Sequence, residues 1–158
     1  MAGGAPDTTR VAGTSRLPDA VRRFCAAAAA DDLDGVIATL AADAELVSPL
    51  SGRLVFRGRE DLRTLLGAVY STLDGLRWED PIAQGQAASA VAVATAGGLR
   101  VDDALLFELN PQGEIARLRP HLRPWLGTTL FALLLGPKVA RHPAVLWRAV
   151  RMGARRRT

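Results

Sequence analysis

The sequence is poor in the residues that staple, ligate or anchor a chain. Of 158 residues a single one is cysteine, Cys25, so no internal disulfide can form, and the thiol says nothing about compartment. Histidine occurs twice, as His121 and His142, and two histidines with one cysteine make no metal-ligand spacing. No apolar run reaches the ~18 residues that a membrane span requires. The N-terminal MAGGAPDTTRVAGTSR holds no hydrophobic segment of the signal-peptide kind. Gly97-Gly98 reads as a hairpin turn rather than a phosphate loop, because no helix follows it. The expectation is a cytoplasmic protein with no metal and no cofactor.

Acid is also missing from one part of the chain. All sixteen acidic residues lie within positions 1–114, beside ten Arg, for a net charge of −6. Positions 115–158 hold nine Arg and one Lys with no acid, a net of +10. Such an asymmetry marks a docking surface, whether for an anionic membrane, a nucleic acid or the acidic body of the same protein. The near-exclusive use of Arg is of the kind GC-rich coding produces, so the high pI carries less weight than the distribution.

What is present is an ordinary globular composition, 49% hydrophobic and 23% charged, in a chain long enough for one domain with some excess. Residues 1–16 are small, polar and aperiodic, a mobile leader. Pro18-Asp19 opens a helix over AVRRFCAAAAADD, and Asp31-Asp32-Leu33-Asp34 breaks it and caps a second helix, GVIATLAADA. Strands are expected over Glu45–Leu50 and Arg53–Arg57, then a third helix, REDLRTLLGAVYSTL, then strands over Leu76–Gln86 and Ala88–Ala96. The segment Leu99–Trp125 reads as two long strands about Asn110-Pro111-Gln112-Gly113, where Pro presets φ and Gly supplies a left-handed position. Alternation puts Asp103, Leu105, Phe107 and Leu109 on one face, joined by Ala116, Leu118, Pro120 and Leu122 from the second strand; Ile115, Arg117, Arg119 and His121 fall behind. The order of elements gives an α+β class, helices segregated from a mostly antiparallel sheet. Beyond it, 126–136 is apolar all round, Pro137 and Pro143 break the path, and Ala144–Arg157 forms a short basic amphipathic helix.

RFCAAAAADDLDGVIATLAADAELVSPLSG, FRGREDLRTLLGAVY and LLFELNPQGEIARLR together resemble the nuclear transport factor 2-like superfamily, most closely its SnoaL-like and ketosteroid-isomerase-like members. The resemblance spans about residues 17–125. It implies a cone-shaped roll, a curved sheet wrapped on three helices and open at one end to a small apolar ligand, followed here by a helical extension over 126–158. The family's known catalytic sets do not transfer. Where ketosteroid isomerases place a Tyr, an Asp base and a protonated Asp, this chain has Phe24, Ser48 and Leu105. A serine hydroxyl cannot replace a carboxylate base whose work depends on its pKa. Limonene-type epoxide hydrolases place a Tyr and an Asn on the first strand, here Leu46 and Ser48. They and the SnoaL-type cyclases place an acid on the last strand, here Pro120. Arg100-Val101-Asp102 mimics the hydrolases' R-x-D one strand too late.

Asp103 survives as the candidate catalytic group. Among Phe24, Leu46, Leu118 and Leu122 a carboxyl would be desolvated and its pKa raised, which suits a general acid or base. The plainer alternative is a rim Asp that caps the Gly97-Gly98 turn or pairs with Arg100. The expected ligand wall is Phe24, Leu46, Leu105, Phe107, Leu118, Pro120, Leu122 and Trp125, with Ser48 as a hydrogen-bond donor. Of Tyr70, Trp78 and Trp125, polar-edged aromatics that could orient a ligand, only Trp125 is assigned to it. Cys25 is read as a buried structural thiol, and His121 as facing away from the pocket. The functional expectation is a small hydrophobic molecule bound in the cone, with metal-free cyclisation, isomerisation or hydration of a secondary-metabolite intermediate if there is turnover. The rival is a non-catalytic homodimer docking by its Arg tail. For the tail itself, packing over the cone or dimer formation comes first and peripheral contact with an anionic membrane second. Nucleic acid comes third, for want of aromatics among the arginines.

Overall fold

The computed structural model describes residues 16–155. Most of the expected leader and the last arginines, Arg156 and Arg157, lie outside the described residues. Helix α1 (Asp19–Ala29) buries Ala20, Val21, Phe24 and Ala28 along one stripe. Asp31 at φ 55° and Asp32 then turn the chain, and the Asp32 side chain accepts from the Gly35 N–H at 2.9 Å to cap α2 (Leu33–Ala38). The second helix stops earlier than its apolar pattern suggested: LAADAELV forms β1 (Leu40–Val47). Leu40 and Ala44 are buried there, four residues apart, a spacing that a helix and a strand share, and pairing with two neighbouring strands decides for the strand.

The short β2 (Val55–Arg57) returns beside β1, and Gly58 at φ 88° turns the chain into α3 (Arg59–Tyr70). Three long strands follow, β3 (Asp74–Gln84), β4 (Ala87–Ala96) and β5 (Leu99–Leu109). Then come β6 (Ile115–Arg119) and β7 (Leu122–Arg123), so the second arm of the expected hairpin is broken at Pro120-His121. The strand order is β2-β1-β6-β5-β4-β3, with β7 also paired to β5. Every pairing is antiparallel except β1 with β6, which makes the sheet mixed.

Register shifts interrupt β3/β4, β1/β6 and β5/β6, and such bulges bend and twist a sheet. The result is a curved, unclosed α+β sheet wrapped on α1–α3. The bulge between Glu108 and Leu109 also overturns one expectation: Glu108 pairs with Arg117 but Leu109 with Ile115, which turns Ile115 inward. Ile115 is fully buried rather than behind the hairpin. The turn itself behaves as its residues require, with Gly113 at φ 80° and the Asn110 side chain accepting from the Glu114 N–H at 2.8 Å.

The extension forms α4 (Trp125–Ala140) and α5 (Pro143–Arg155). Pro137 does not end α4. It sits in the last turn and removes one bond to the carbonyl of Leu133, a residue on the exposed side of the helix. The inward stripe of α4, Gly127, Phe131, Leu135 and Val139, recurs every fourth residue. Gly127 lies so close to β5 that a Cβ there would meet the Arg100 carbonyl oxygen at 2.1 Å. At the far end Lys138 Nζ donates to the Ser71 carbonyl at 2.7 Å, so α4 bridges from β5 to the end of α3. Helix α5 packs on β2, where a Cβ on Gly153 would overlap the Arg53 carbonyl, and Arg148 Nε donates to the buried Asp61 carboxylate at 2.9 Å.

Candidate functional site

A cavity of about 110 Å³ lies inside the cone. The alanines of β4 explain why there is room. Ala88, Ala90, Ala92, Ala94 and Ala96 alternate along the strand and are buried, and Ala92 and Ala94 form part of the cavity wall. A methyl group at each inward position leaves space that a Leu or Val would fill. Opposite lie Phe24 of α1 and Leu65, Leu66, Val69 and Tyr70 of α3, while Leu76 and Trp78 of the adjacent β3 stand beside the alanines on the same sheet. Strand β5 supplies Val101, Asp103 and Leu105, β6 supplies Leu118, and Pro120 and Leu122 follow. Phe131 and Leu135 of α4 complete the wall, so the extension closes over the apolar space without filling it.

Polar groups in this wall are few. Asp103 is partly buried, and desolvation raises its pKa from 3.8 to about 6. A bond from the His121 N–H to Asp103 Oδ1 at 2.7 Å, and the charge of His121, pull in the other direction without cancelling the effect. The neighbouring Asp102 faces the other side of the strand. It takes the ion pair with Arg100, at 2.7 Å, that the plainer reading assigned to Asp103. Burial, and the proximity of Cys25 and Asp103, push the Tyr70 phenol well above its ordinary range, so it stays a neutral donor. The Trp78 indole Nε1 is buried without a hydrogen-bond partner within the protein. Leaving such a donor unmatched costs roughly 1–3 kcal/mol, which an acceptor atom on a bound molecule would relieve. Ser48 is a buried residue of the cavity wall, and its Oγ accepts from the Leu50 N–H at 3.3 Å.

Most of the wall expected from the sequence is brought together: Phe24, Leu46, Ser48, Asp103, Leu105, Leu118, Pro120 and Leu122 all line the cavity. Two residues do not. Phe107 is fully buried one layer behind, its ring edge-on to Phe24 with centroids 5.3 Å apart. Trp125 is 74% exposed, because it begins α4 about half a turn away from the stripe that faces inward. The two aromatics set aside in its favour, Tyr70 and Trp78, are the ones on the wall. Sequence reasoning also passed over Ala92, Ala94, Phe131 and Leu135; the period-two alanines of ASAVAVATA were the available signal. His121 is exposed, and its ring Nδ1 lies 3.0 Å from the Arg119 carbonyl and 3.2 Å from that of Ala104. Burial pushes the Cys25 thiol up to about 12, which removes it as a nucleophile. Among the described residues, no group of three His, Cys, Asp or Glu is placed to hold a metal ion.

A curved mixed sheet wrapped on three helices around an apolar cavity defines a nuclear transport factor 2-like cone. Residues 21–118 match the model of the SnoaL-like domain, and the chain belongs to that family. Solved structures agree on the fold. A protein of Silicibacter pomeroyi with a cystatin-like fold aligns with a TM-score of 0.77 at 19% identity, covering 84% of this chain and 94% of that one. A steroid delta-isomerase of Pseudomonas aeruginosa aligns at 0.71 and 19% identity, covering 79% and 92%. A SnoaL-like protein of Burkholderia thailandensis aligns at 0.54 and 20% identity, covering 66% and 92%. No functionally curated protein matches the sequence.

Proposed function

We propose that the cone binds a small, largely apolar molecule bearing an oxygen acceptor, and that Asp103 is the general acid or base acting on it. The observation that carries this reading is a single carboxyl set in a mostly apolar wall, where desolvation raises its pKa to about 6. A group titrating there can both hold and release a proton near neutrality. Tyr70 and Trp78 supply donors for the ligand's oxygen, and Ser48 is a third polar contact. The chemistry that this set supports is proton transfer without a covalent intermediate: isomerisation, cyclisation or hydration of a polycyclic or terpenoid secondary metabolite. Similarity to a steroid delta-isomerase is consistent with an apolar ligand, although Phe24, Ser48 and Leu105 lack the carboxylates and phenol of that chemistry.

The test has two arms. Native mass spectrometry of protein recovered from its own cells looks for a retained small molecule. Anilinonaphthalene sulfonate serves as the solution probe, its fluorescence rising in an apolar cavity. Ala92→Leu, which adds bulk to the wall, should weaken probe binding by about tenfold or more while the fold persists, since one or two lost methylene contacts are worth about that much. Unchanged probe binding in this variant, together with no retained molecule, would remove the ligand reading.

A further inference from the structure

We propose that the C-terminal extension docks on an anionic lipid bilayer, with the outward face of α4 in the headgroup–acyl boundary and the arginines of α5 on the headgroups. The first observation is that α4 is apolar on both sides. Its inward stripe closes the cone, yet the opposite face, where polar residues belong, presents Trp125, Leu126 and Leu133 at 74, 55 and 68% exposure. Lys138 is the single charge among its sixteen residues. Helix α5 adds Trp147 and Val150, 60 and 54% exposed. Large apolar side chains gathered in one short segment mark an interaction surface rather than scattered exposure.

Charge decides the occupant. No acidic residue follows Glu114. Arg148, Arg151 and Arg155 of α5 line a groove with Arg57 of β2; within it Asp61 pairs with Arg148, and Arg57 pairs with Asp43 at 3.0 Å, which leaves Arg151 over Trp147 as the basic group that the groove presents with an aromatic. Arg151 lies over the Trp147 ring, 4.2 Å from its centroid, so a cation and an interfacial aromatic are presented together. A second copy of the chain meeting this face would bring two strongly basic surfaces together. A nucleic acid would match the charge but leave the apolar side chains in water. An anionic bilayer accepts both, as it does for basic amphipathic helices that lie in the interface. Among the described residues no helix is long and apolar enough to cross a membrane, so contact would be at the surface. Since α4 also roofs the cavity, docking would bring that roof against hydrocarbon; this consequence rests on the ligand reading above, whereas docking does not.

The experiment is co-sedimentation of the full chain with vesicles of phosphatidylcholine alone and of phosphatidylcholine with phosphatidylglycerol, at low and high salt. Binding is expected to the anionic vesicles and to fall with salt. Replacing both Arg151 and Arg141, which is exposed in the turn between α4 and α5, by Glu should weaken it about 25-fold or more, at about fivefold for each basic side chain at the surface. Leu133→Asp should weaken it by about tenfold or more, by removing an inserted apolar group. Both variants change exposed positions and should melt as the parent does; if Leu133→Asp fails to fold, Trp125→Ser carries the same arm. Equal binding to neutral and anionic vesicles, binding to neither, or no effect of the α4 variant would overturn the proposal. A salt-resistant dimer that Leu133→Asp dissociates, without vesicle binding, would assign the face to a second copy instead. Binding to an oligonucleotide but not to vesicles would assign the basic groove to nucleic acid.

Discussion

Asp103→Asn replaces the carboxyl that the cone holds against its solvation by a neutral group of the same shape. In the unfolded chain Asp103 ionises at its ordinary value of 3.8, and in the folded protein at about 6. Between those values the folded state binds more protons than the unfolded one, so its contribution to stability falls as pH rises. Below about 3.8 Asp103 is protonated in both states and costs nothing; above about 6 its ionisation in the cavity costs the folded state in full. A carboxyl displaced from 3.8 to about 6 corresponds to a penalty of about 3 kcal/mol. The Asn variant escapes this penalty and keeps an oxygen to accept from the His121 N–H. The amide's own burial cost is constant with pH, so the quantity to measure is the stability of the variant minus that of the parent. Urea unfolding at a series of pH values should show this difference growing by about 2.4 kcal/mol between about pH 4 and pH 8, or some 7 °C in Tm. A difference that stays flat, or grows toward acid, would mean that Asp103 ionises at least as freely as in the open chain. It would then have no claim to be the acid–base group of the cavity.

Phe107→Ala should destabilise the protein by about 3–5 kcal/mol, since its buried ring supports Phe24 and Trp78 from behind; denaturant unfolding measures this, and a loss below about 1 kcal/mol would show that the layer is slack. Gly127→Ala forces a Cβ into the Arg100 carbonyl and should lift the start of α4 from β5. Hydrogen exchange should then quicken along α4 while β4 and β5 stay protected, and unchanged exchange would show that α4 does not depend on that close approach.

The α+β class, the three helices before the long strands and the turn at Asn110–Gly113 were all readable along the chain, because each is written in local periodicity and turn chemistry. The inward face of β5 was readable for the same reason: Asp103, Leu105 and Phe107 alternate with Asp102, Ala104 and Leu106, and no bulge interrupts that run. Period counting failed where a non-local pairing intervened. Leu40 to Ala44 fits a helix or a strand until β6 and β2 arrive on either side of β1. Ile115 turns inward because of a single bulge opposite Glu108 and Leu109. In the apolar helix α4, residue type does not distinguish inward from outward, so Trp125 was assigned to the wall and Phe131 and Leu135 were not.

The sequence by itself determined the inward face of β5, the family's cone and the division of charge between body and tail, since these depend on residue type and spacing alone. Tertiary structure decided where the open space lies and which side chains share it. Cavity volume is the difference between the path of the backbone and the side chains that fill it, and here the alanines of β4, the bulges that bend the sheet and the helix laid across it set that difference together. The pKa of Asp103 belongs to the same category. Its position on β5 follows from alternation, but its desolvation requires α1, α3 and α4 to close around it.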